Sequence, residues 1–379
     1  MASGLYLTLL VGPMVPLPAP KPLIDALTSV EVTTRGTGRS VFQLSFTLSN
    51  RSPLQTLFLL AMGGPGVELR VVIMVTANGI PQVLMDGVMR HHEVQPSGNT
   101  GHSTMTVTGE DLTAVMDLLP LPGLPYPMPA EARVEAILAK YAAYGVIPLV
   151  VPSVVPDIPI PVERIPGQKG TDYFYVNQLA NRVGYVFYLD PGPLPGISTA
   201  YWGPQVKFGI PQPALSVNMD TWTNVESLSF RYEPQKFKLP IVTIVEPTTH
   251  VPIPIPIPPV TPLNPPLGVV VPFPVPPSLD PLNDAAKYEP GQALMIGMAK
   301  ASASADVVTG TGSLDVLRYG QVLRARQLVG VRGAGPAFDG LHYVASVTHR
   351  IQRGEYKQDF TLTRNALISN TPVVPTIGI

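Results

Sequence analysis

Gly340-Leu-His-Tyr-Val-Ala-Ser-Val-Thr-His349, Arg350-Ile-Gln-Arg-Gly-Glu355 and Tyr356-Lys-Gln-Asp-Phe-Thr-Leu-Thr-Arg364 form one unbroken stretch near the end of this 379-residue chain. Leu341, Tyr343, Ala345 and Val347 recur at every second position, while His342, Ser346, Thr348 and Arg350 take the other face together with Val344. Beyond Gly354, Tyr356, Phe360 and Leu362 alternate with Lys357, Asp359, Thr361 and Thr363. Period-two alternation on both sides of a short glycine-containing link predicts an antiparallel hairpin with one buried face. We read it as the closing hairpin of a β-barrel.

Upstream of it, β character is expected over residues 302–309 and 322–329, and again around 202–210 and 223–232. The N-terminal third reads similarly. Phe42, Leu44, Phe46 and Leu48 alternate with Gln43, Ser45 and Thr47 after the turn Arg35-Gly-Thr-Gly-Arg-Ser40. Further strands are expected at 29–34, 67–75, 82–93 and 102–108, with Asn78-Gly79 as a hairpin turn and a short helical turn near 110–116. Residues 51–62 read as a loop and short helix. Five or six strands with short turns point to a small barrel or sandwich.

Between the two β-rich parts, Val134, Ile137, Leu138 and Tyr141 mark an amphipathic helix after Pro129. A second helix is expected over residues 171–182, with Thr171 or Asp172 as its N-cap. The 46 prolines cluster, above all in Val251-Pro-Ile-Pro-Ile-Pro-Ile-Pro-Pro259. Proline at alternate positions removes every second backbone donor, which excludes a central strand and leaves polyproline II or an extended edge. That insertion serves either as a contact with a neighbouring subunit or as a stiff linker.

Composition narrows the function. Net charge is −1 and only 13% of residues are charged, against 45% hydrophobic, which suits a chain that hides surface in an assembly and gives no basic field for nucleic acid. Cysteine is absent, so neither disulfides nor thiolate metal sites exist. The first basic residue is Lys21, which does not fit a signal peptide, and no apolar run suits a membrane-spanning helix.

No enzyme signature emerges. Neighbouring His91 and His92 point to opposite strand faces and cannot readily share a metal, and His250, His342 and His349 lack ligand spacing. Gly36-Thr-Gly-Arg-Ser40 and Gly310-Thr-Gly-Ser313 lack the P-loop tail and read as turns. Asp86, Glu110, Asp111 and Asp117 read as solvated carboxylates rather than catalytic pairs. Arg318, Arg324, Arg326, Arg332, Arg350 and Arg353 gather near the end, as interface or channel charges or as ordinary strand faces. We therefore expect no catalytic, cofactor-binding or metal-binding residues.

A strand of the form Tyr343-Val-x-x-Val-x-His349, a basic glycine turn and a strand opening on Tyr356 resembles the last hairpin of baseplate hub proteins from contractile phage tails and injection systems. This is the late control protein D family, to which the N-terminal hub region of type VI secretion VgrG spikes is similar. Other segments follow in the family's order. Leu23-Ile-Asp-Ala-Leu-Thr-Ser-Val-Glu-Val32 with Ser40-Val-Phe-Gln-Leu-Ser-Phe46 resembles its opening strands. Val83-Leu-Met-Asp-Gly-Val-Met-Arg90 with Met105-Thr-Val-Thr-Gly-Glu-Asp-Leu112 resembles its first-barrel close. Residues 171–188 look like its helix-Gly-Tyr-strand segment, and 299–364 like the end of its second barrel.

The resemblance implies a mainly β fold with helical insertions: two tube-like β-barrel domains per chain, three chains making a pseudo-sixfold ring. The first barrel would span 1–118, a helical and Pro-rich insertion 119–200, a split second barrel 201–240 plus 284–366, a Pro-rich insertion 241–283 and a tail 367–379. The implied role is a homotrimeric hub joining a hexameric inner tube to a trimeric spike and carrying thrust on contraction, in company with other baseplate proteins. The chain ends soon after Arg364, so the spike would be a separate polypeptide. Such a protein would assemble in the bacterial cytoplasm and end in a virion baseplate or injection particle. The alternatives are a tube initiator or adaptor, or a β-rich enzyme or carbohydrate-binding module with Trp202 and Trp222 as its aromatic candidates.

Overall fold

The computed structural model describes residues 4–48, 68–96, 103–154, 165–245, 251–260, 264–274, 276–282 and 288–370. The loop and helix expected at 51–62, and His250, lie outside them. The protein is mainly β, with a few helices set between strands.

Its first β unit comprises β1 (Tyr6–Gly12), β2 (Leu17–Pro18), helix α1 (Lys21–Ala26), β3 (Leu27–Arg35), β4 (Val41–Leu48), β5 (Arg70–Ala77), β6 (Ile80–Gln95), β7 (Ser103–Asp111) and α2 (Thr113–Met116). Asn78 and Gly79 both take positive φ, 51° and 80°, as a two-residue hairpin turn demands. β1, which alternation did not single out, pairs with β5 along its whole length.

An insertion follows. Helix α3 (Ala130–Ala139) buries Val134, Ile137 and Leu138, as their spacing requires. The proline-rich run after it contains a strand, β8 (Val146–Val150). Helix α4 (Asp172–Arg182) starts where expected, with Thr171 Oγ1 accepting from the Phe174 amide at 3.2 Å. β9 (Val186–Pro191) and β10 (Ser198–Gly203) complete a sheet of order β8-β10-β9. β10 and Trp202 thus lie in this sheet, not at the start of the second β unit.

The second unit contains β11 (Gln212–Ser216) and β12 (Ser227–Tyr232). A third sheet, β14-β13-β15, interrupts it, built from β13 (Lys238–Val245), β14 (Pro252–Pro256) and β15 (Ser278–Leu282). Helix α5 (Pro290–Ser304) packs on this sheet through Ala293 and Ala301 against Val242 and Ile257. Gly297 allows the approach, since a Cβ there would stand 2.6 Å from Val242 Cγ2. The chain returns to the main sheet as β16 (Val308–Asp315), α6 (Val316–Tyr319), β17 (Leu328–Arg332), β18 (Gly340–Gln352) and β19 (Glu355–Arg364).

Three expectations fail here for identifiable reasons. Residues 302–304 are helical because α5, opened by Pro290 and rich in Ala and Met, runs through them. The strand expected at 322–329 begins only at Leu328. Gly310-Thr-Gly-Ser313 is strand rather than turn: Gly310 and Gly312 leave room for the Phe230 and Phe360 rings, which a Cβ would approach to 2.7 Å in each case.

β14 shows how its prolines fit. Ile253 lies opposite Ile244 and Ile255 opposite Val242, and the Ile257 amide donates to Pro240 O at 2.9 Å. Pro252, Pro254 and Pro256 fall at the alternate positions, where the amide would point away from β13. The strand is an extended edge whose outer side offers carbonyls and no donors from its prolines, which discourages further strand pairing.

The two β units share one 13-stranded sheet, in the order β12-β16-β19-β18-β3-β4-β7-β6-β5-β1-β2, with β17 and then β11 branching from β18. The join is the antiparallel β18–β3 ladder from Ser346↔Arg35 to Gln352↔Ser29. One hydrophobic cluster runs behind it, including Val30, Val32, Phe42 and Leu44 from one side and Val347, Ile351, Phe360 and Leu362 from the other. Among the described residues the ladder is open, and no barrel closes on itself.

The hairpin β18–β19 forms as its alternation requires, with one change of phase. A bulge at Ala345 shifts the register between Val344 and Ser346. His342 and Val344 therefore join Val347, His349 and Ile351 on the buried side, whereas strict alternation places His342 with Ser346, Thr348 and Arg350. β19 needs no such correction: Tyr356, Phe360 and Leu362 are buried, and Gln358 and Arg364 with them.

Candidate functional site: a hydroxyl-rich face and the braces behind it

The side of the sheet opposite this core is polar across eight strands, from β12 to β6. At roughly 4.8 Å per strand it is about 34 Å wide. Its rows follow from the registers. One row reads Ser229, Thr311, Thr361, Ser346 and Arg35, and the next Ser227, Ser313, Asp359, Thr348, Thr33, Val41 and Glu110. A third runs through Lys357, Arg350, Glu31, Gln43, Thr108 and His91. Val41 is the one aliphatic side chain in these rows.

Polar groups on this face bind one another. Thr33 and Thr348 hydroxyls lie 2.9 Å apart across the β3–β18 join, Ser227 and Ser313 2.8 Å apart, and Ser229 and Thr311 3.0 Å apart. Arg350 reaches Asp359 at 2.7 Å and Glu31 at 3.7 Å, while Lys357 reaches Glu226 and Glu355, both at 3.1 Å. At the β6 end Arg39 holds Glu110 at 2.9 Å and also Asp117, and Arg90 meets Glu68 at 3.4 Å. Two shallow depressions, of about 620 and 480 Å³, open on the face, one lined by Glu31, Arg39, Gln43 and Glu110, the other by Ser229, Thr311 and Thr348.

Behind the sheet, ion pairs made by cations with buried side chains tie the parts of the chain together. Arg70 grips Asp86 through two bonds of 2.7 Å and donates to Met14 O, Tyr144 O and Gly196 O. It thereby ties β5 and β6 to both ends of the small sheet's loops. Arg326, at positive φ, lies 3.9 Å from the Tyr188 ring centre and bonds Asp190 at 2.9 Å and Arg35 O at 2.9 Å. It links the second β unit to the first unit and to the insertion. Lys207 is buried on Asp306 at 2.7 Å.

Two histidines sit inside. Gln358 is oriented by Leu323, whose amide donates to its Oε1 at 2.9 Å and whose carbonyl accepts from its Nε2 at 2.8 Å. The same Nε2 lies 3.2 Å from His349 Nδ1, so Nδ1 accepts and the ring is neutral; the Tyr356 hydroxyl lies 2.8 Å from that nitrogen. Burial holds His349 at a pKa of about 3 and pushes the Tyr356 hydroxyl up. His342, against the Phe230 ring, is lowered to about 3 by burial and then by the Arg364 charge.

The sequence-read residues are dispersed. His91 is on the polar face and exposed, His92 on the other side of its strand. Among the described residues no three His, Asp or Glu side chains are placed to hold a metal. Asp86 and Asp111 are not solvated: Asp86 is paired with Arg70, and Asp111 accepts from the Ser40 and Thr113 amides at 2.7 and 3.0 Å. Burial raises the Asp111 pKa against those bonds. Glu110 and Asp117 share Arg39. The arginines do not gather: Arg326 is a buried brace, Arg350 lies on the face, and Arg353 caps Asp25 O at 2.7 Å. Trp202 is buried, donating to Val176 O, and Trp222 is exposed in a short 3-10 turn outside the sheets. No described helix is long and apolar enough to cross a membrane.

No family model and no curated protein matches the chain. Solved structures do. The tail protein from Neisseria meningitidis MC58 superposes with a TM-score of 0.61 at 15% identity, over 96% of this chain and 97% of that one. The 43 kDa tail protein of prophage MuSo2 from Shewanella oneidensis gives 0.58 at 14%, over 95% and 98%. The E. coli c3393 protein, a component of the type VI secretion system, gives 0.51 at 11%, over 92% and 77%. The chain shares the fold of these phage-tail and type VI secretion proteins, in line with the resemblance carried by the closing hairpin and its companions.

Proposed function

We propose that this protein is the structural hub of a contractile phage tail or injection-system baseplate. Three copies form a ring in which each chain contributes two tube-like β units, so that six units present pseudo-sixfold symmetry to a hexameric inner tube. A trimeric spike, as a separate protein, seats on the other side, and other baseplate proteins pack around the ring. The role is mechanical rather than enzymatic: the ring matches two symmetries and passes thrust to the spike on contraction. Assembly takes place in the bacterial cytoplasm, and the ring ends in a virion baseplate or injection particle.

The observation that supports this reading most directly is the β18–β3 ladder. It joins two β units edge to edge in one sheet, which suits a chain that supplies two neighbouring ring segments, and among the described residues the path ends on β2 and β12, where neighbours could pair. Three such chains close a cycle by a heterologous contact, the arrangement that produces rings. Exposed apolar side chains away from the polar face, such as Val15, Leu17 and Ile210, suit burial between subunits. Light scattering on purified protein is expected to give three times the chain mass, and particle images a ring with a central opening. A monodisperse monomer at high concentration, recovering no tube protein, would overturn it.

A further inference from the structure

We propose that the cavity where the two β units and the insertion meet is a binding site for a small oxyanion, a carboxylate or phosphate group carried by a small molecule. This goes beyond the hub reading and does not use it. The cavity holds about 300 Å³, at the lower end of the range for small-molecule sites, and β3, β6, β10, β18 and the segment before β17 all supply its walls. His349 lies on its floor and is only 4% exposed. Gln358, fixed by Leu323, donates to His349 Nδ1, so the proton of the neutral ring is on Nε2. Among the described residues no protein atom accepts that proton. A buried N–H held in one tautomer and left without an acceptor is costly unless an occupant of the cavity takes it. A protonated Nε2 cannot ligate a metal, so that occupant is a hydrogen-bond acceptor.

The rest of the lining agrees in sign. Thr34, Thr199 and Gln82 are half-buried on the walls, and among the described residues none gives its side chain to another group of the chain. Arg324 stands exposed at the mouth with no described carboxylate in ion-pair reach, while Asp190, the one acid on the lining, is held by Arg326 at 2.9 Å. One unanswered cation above a fixed N–H donor favours an oxyanion over a cation. Water is the competing occupant of a polar cavity.

Calorimetric titration of the wild-type chain with inorganic phosphate and, separately, with succinate decides between them, each against chloride at equal ionic strength. At least one probe is expected to bind saturably, one per chain, and which of them binds tells phosphate from carboxylate. Arg324→Ala is expected to weaken that binding about tenfold, as loss of one charge-assisted hydrogen bond does, and Thr199→Val to weaken it less. His349→Leu is expected to abolish it; should this core change prevent folding, the two rim variants still decide. No saturable binding of either probe up to ~10 mM would leave water as the occupant and overturn the proposal. Binding that the folded variants retain unchanged would put the anion elsewhere and overturn it equally. Neither result alters the trimer expected by light scattering, so the hub reading stands or falls separately.

Discussion

Arg70 and Arg350 both grip a carboxylate on a neighbouring strand at 2.7 Å, yet one side chain is 3% exposed and the other 58%. Their consequences differ accordingly. Arg350 exchanges one set of hydrated partners for another, and an exposed pair adds about 0–1 kcal/mol. Arg70 is sealed between the first β unit and the insertion, where water cannot replace what it loses. Burial, not bond length, sets the worth of the contact. The molecule places the costly version behind the sheet, where units must be held at a fixed angle, and the weak version on the face that meets water.

The largest effect is therefore expected at Arg70. Arg70→Met leaves Asp86 charged and buried and deprives Met14 O, Tyr144 O and Gly196 O of their donor. Removing one partner of such a pair costs ~3–5 kcal/mol, read as a lower denaturation midpoint at an unchanged slope. The double variant Arg70→Met with Asp86→Leu distinguishes a simple pair from a brace. If the three carbonyls matter, the second change recovers only part of the loss; full recovery would reduce the site to an ion pair.

Next comes acid. His342 and His349 have pKa values of about 3 in the folded chain, below the ordinary histidine value of about 6.5. A lowered folded pKa means that the unfolded chain binds protons first. The contribution is complete above pH ~6.5 and is lost as pH falls from there toward ~3, by a few kcal/mol in all. His349→Gln removes one titrating ring from the hairpin and is expected to flatten the stability profile between pH ~6.5 and ~4.5, before most carboxylates titrate. An unchanged slope would show that His349 is not protonated on unfolding in that range. On the exposed face, Lys357 is raised by Glu355 and Glu226 but stands in solvent, so no matching feature is expected from it.

The same contrast separates what could be read in the sequence from what could not. Alternation identified β4 and β19 and the inward face of each, because a strand with one wet side carries its orientation in its own residues. Spacing identified α3 and Thr171 identified the start of α4. It did not identify the bulge at Ala345, because one extra residue is invisible to a periodic template, and so His342 fell on the wrong side. Nor did it find Arg70 and Asp86. They are 16 residues apart, and their importance comes from Tyr144 and Gly196, which only the fold brings near. The polar face was half legible: Ser and Thr alternate visibly in β4, β7 and β19, but the β18–β3 join that unites them is a long-range pairing.

A smaller effect is expected at the third sheet, where edge chemistry replaces charge. Pro254→Thr restores an outward amide on β14 opposite Thr243. Stability of the single chain is expected to change by less than about 1 kcal/mol, since the proline position makes no ladder bond to β13 and exposed substitutions away from special features cost little. The gain should appear as concentration-dependent association, because a continuous donor and acceptor edge invites another strand. Sedimentation across a range of concentrations checks it. No added association would mean that the flanking Pro252 and Pro256 guard the edge without Pro254.

Smallest of all is Arg350→Ala. It leaves Glu31 on β3 and Asp359 on β19 without the cation that β18 holds between them, both about half exposed at 48% and 40%. Solvent takes up the freed carboxylates, and the cost is expected below ~1 kcal/mol and to shrink further in high salt. A loss comparable to that of Arg70→Met, insensitive to salt, would mean that this join is as dry as the brace behind it. The face would then be shielded even in the single chain, and exposure to water could not be what separates Arg350 from Arg70.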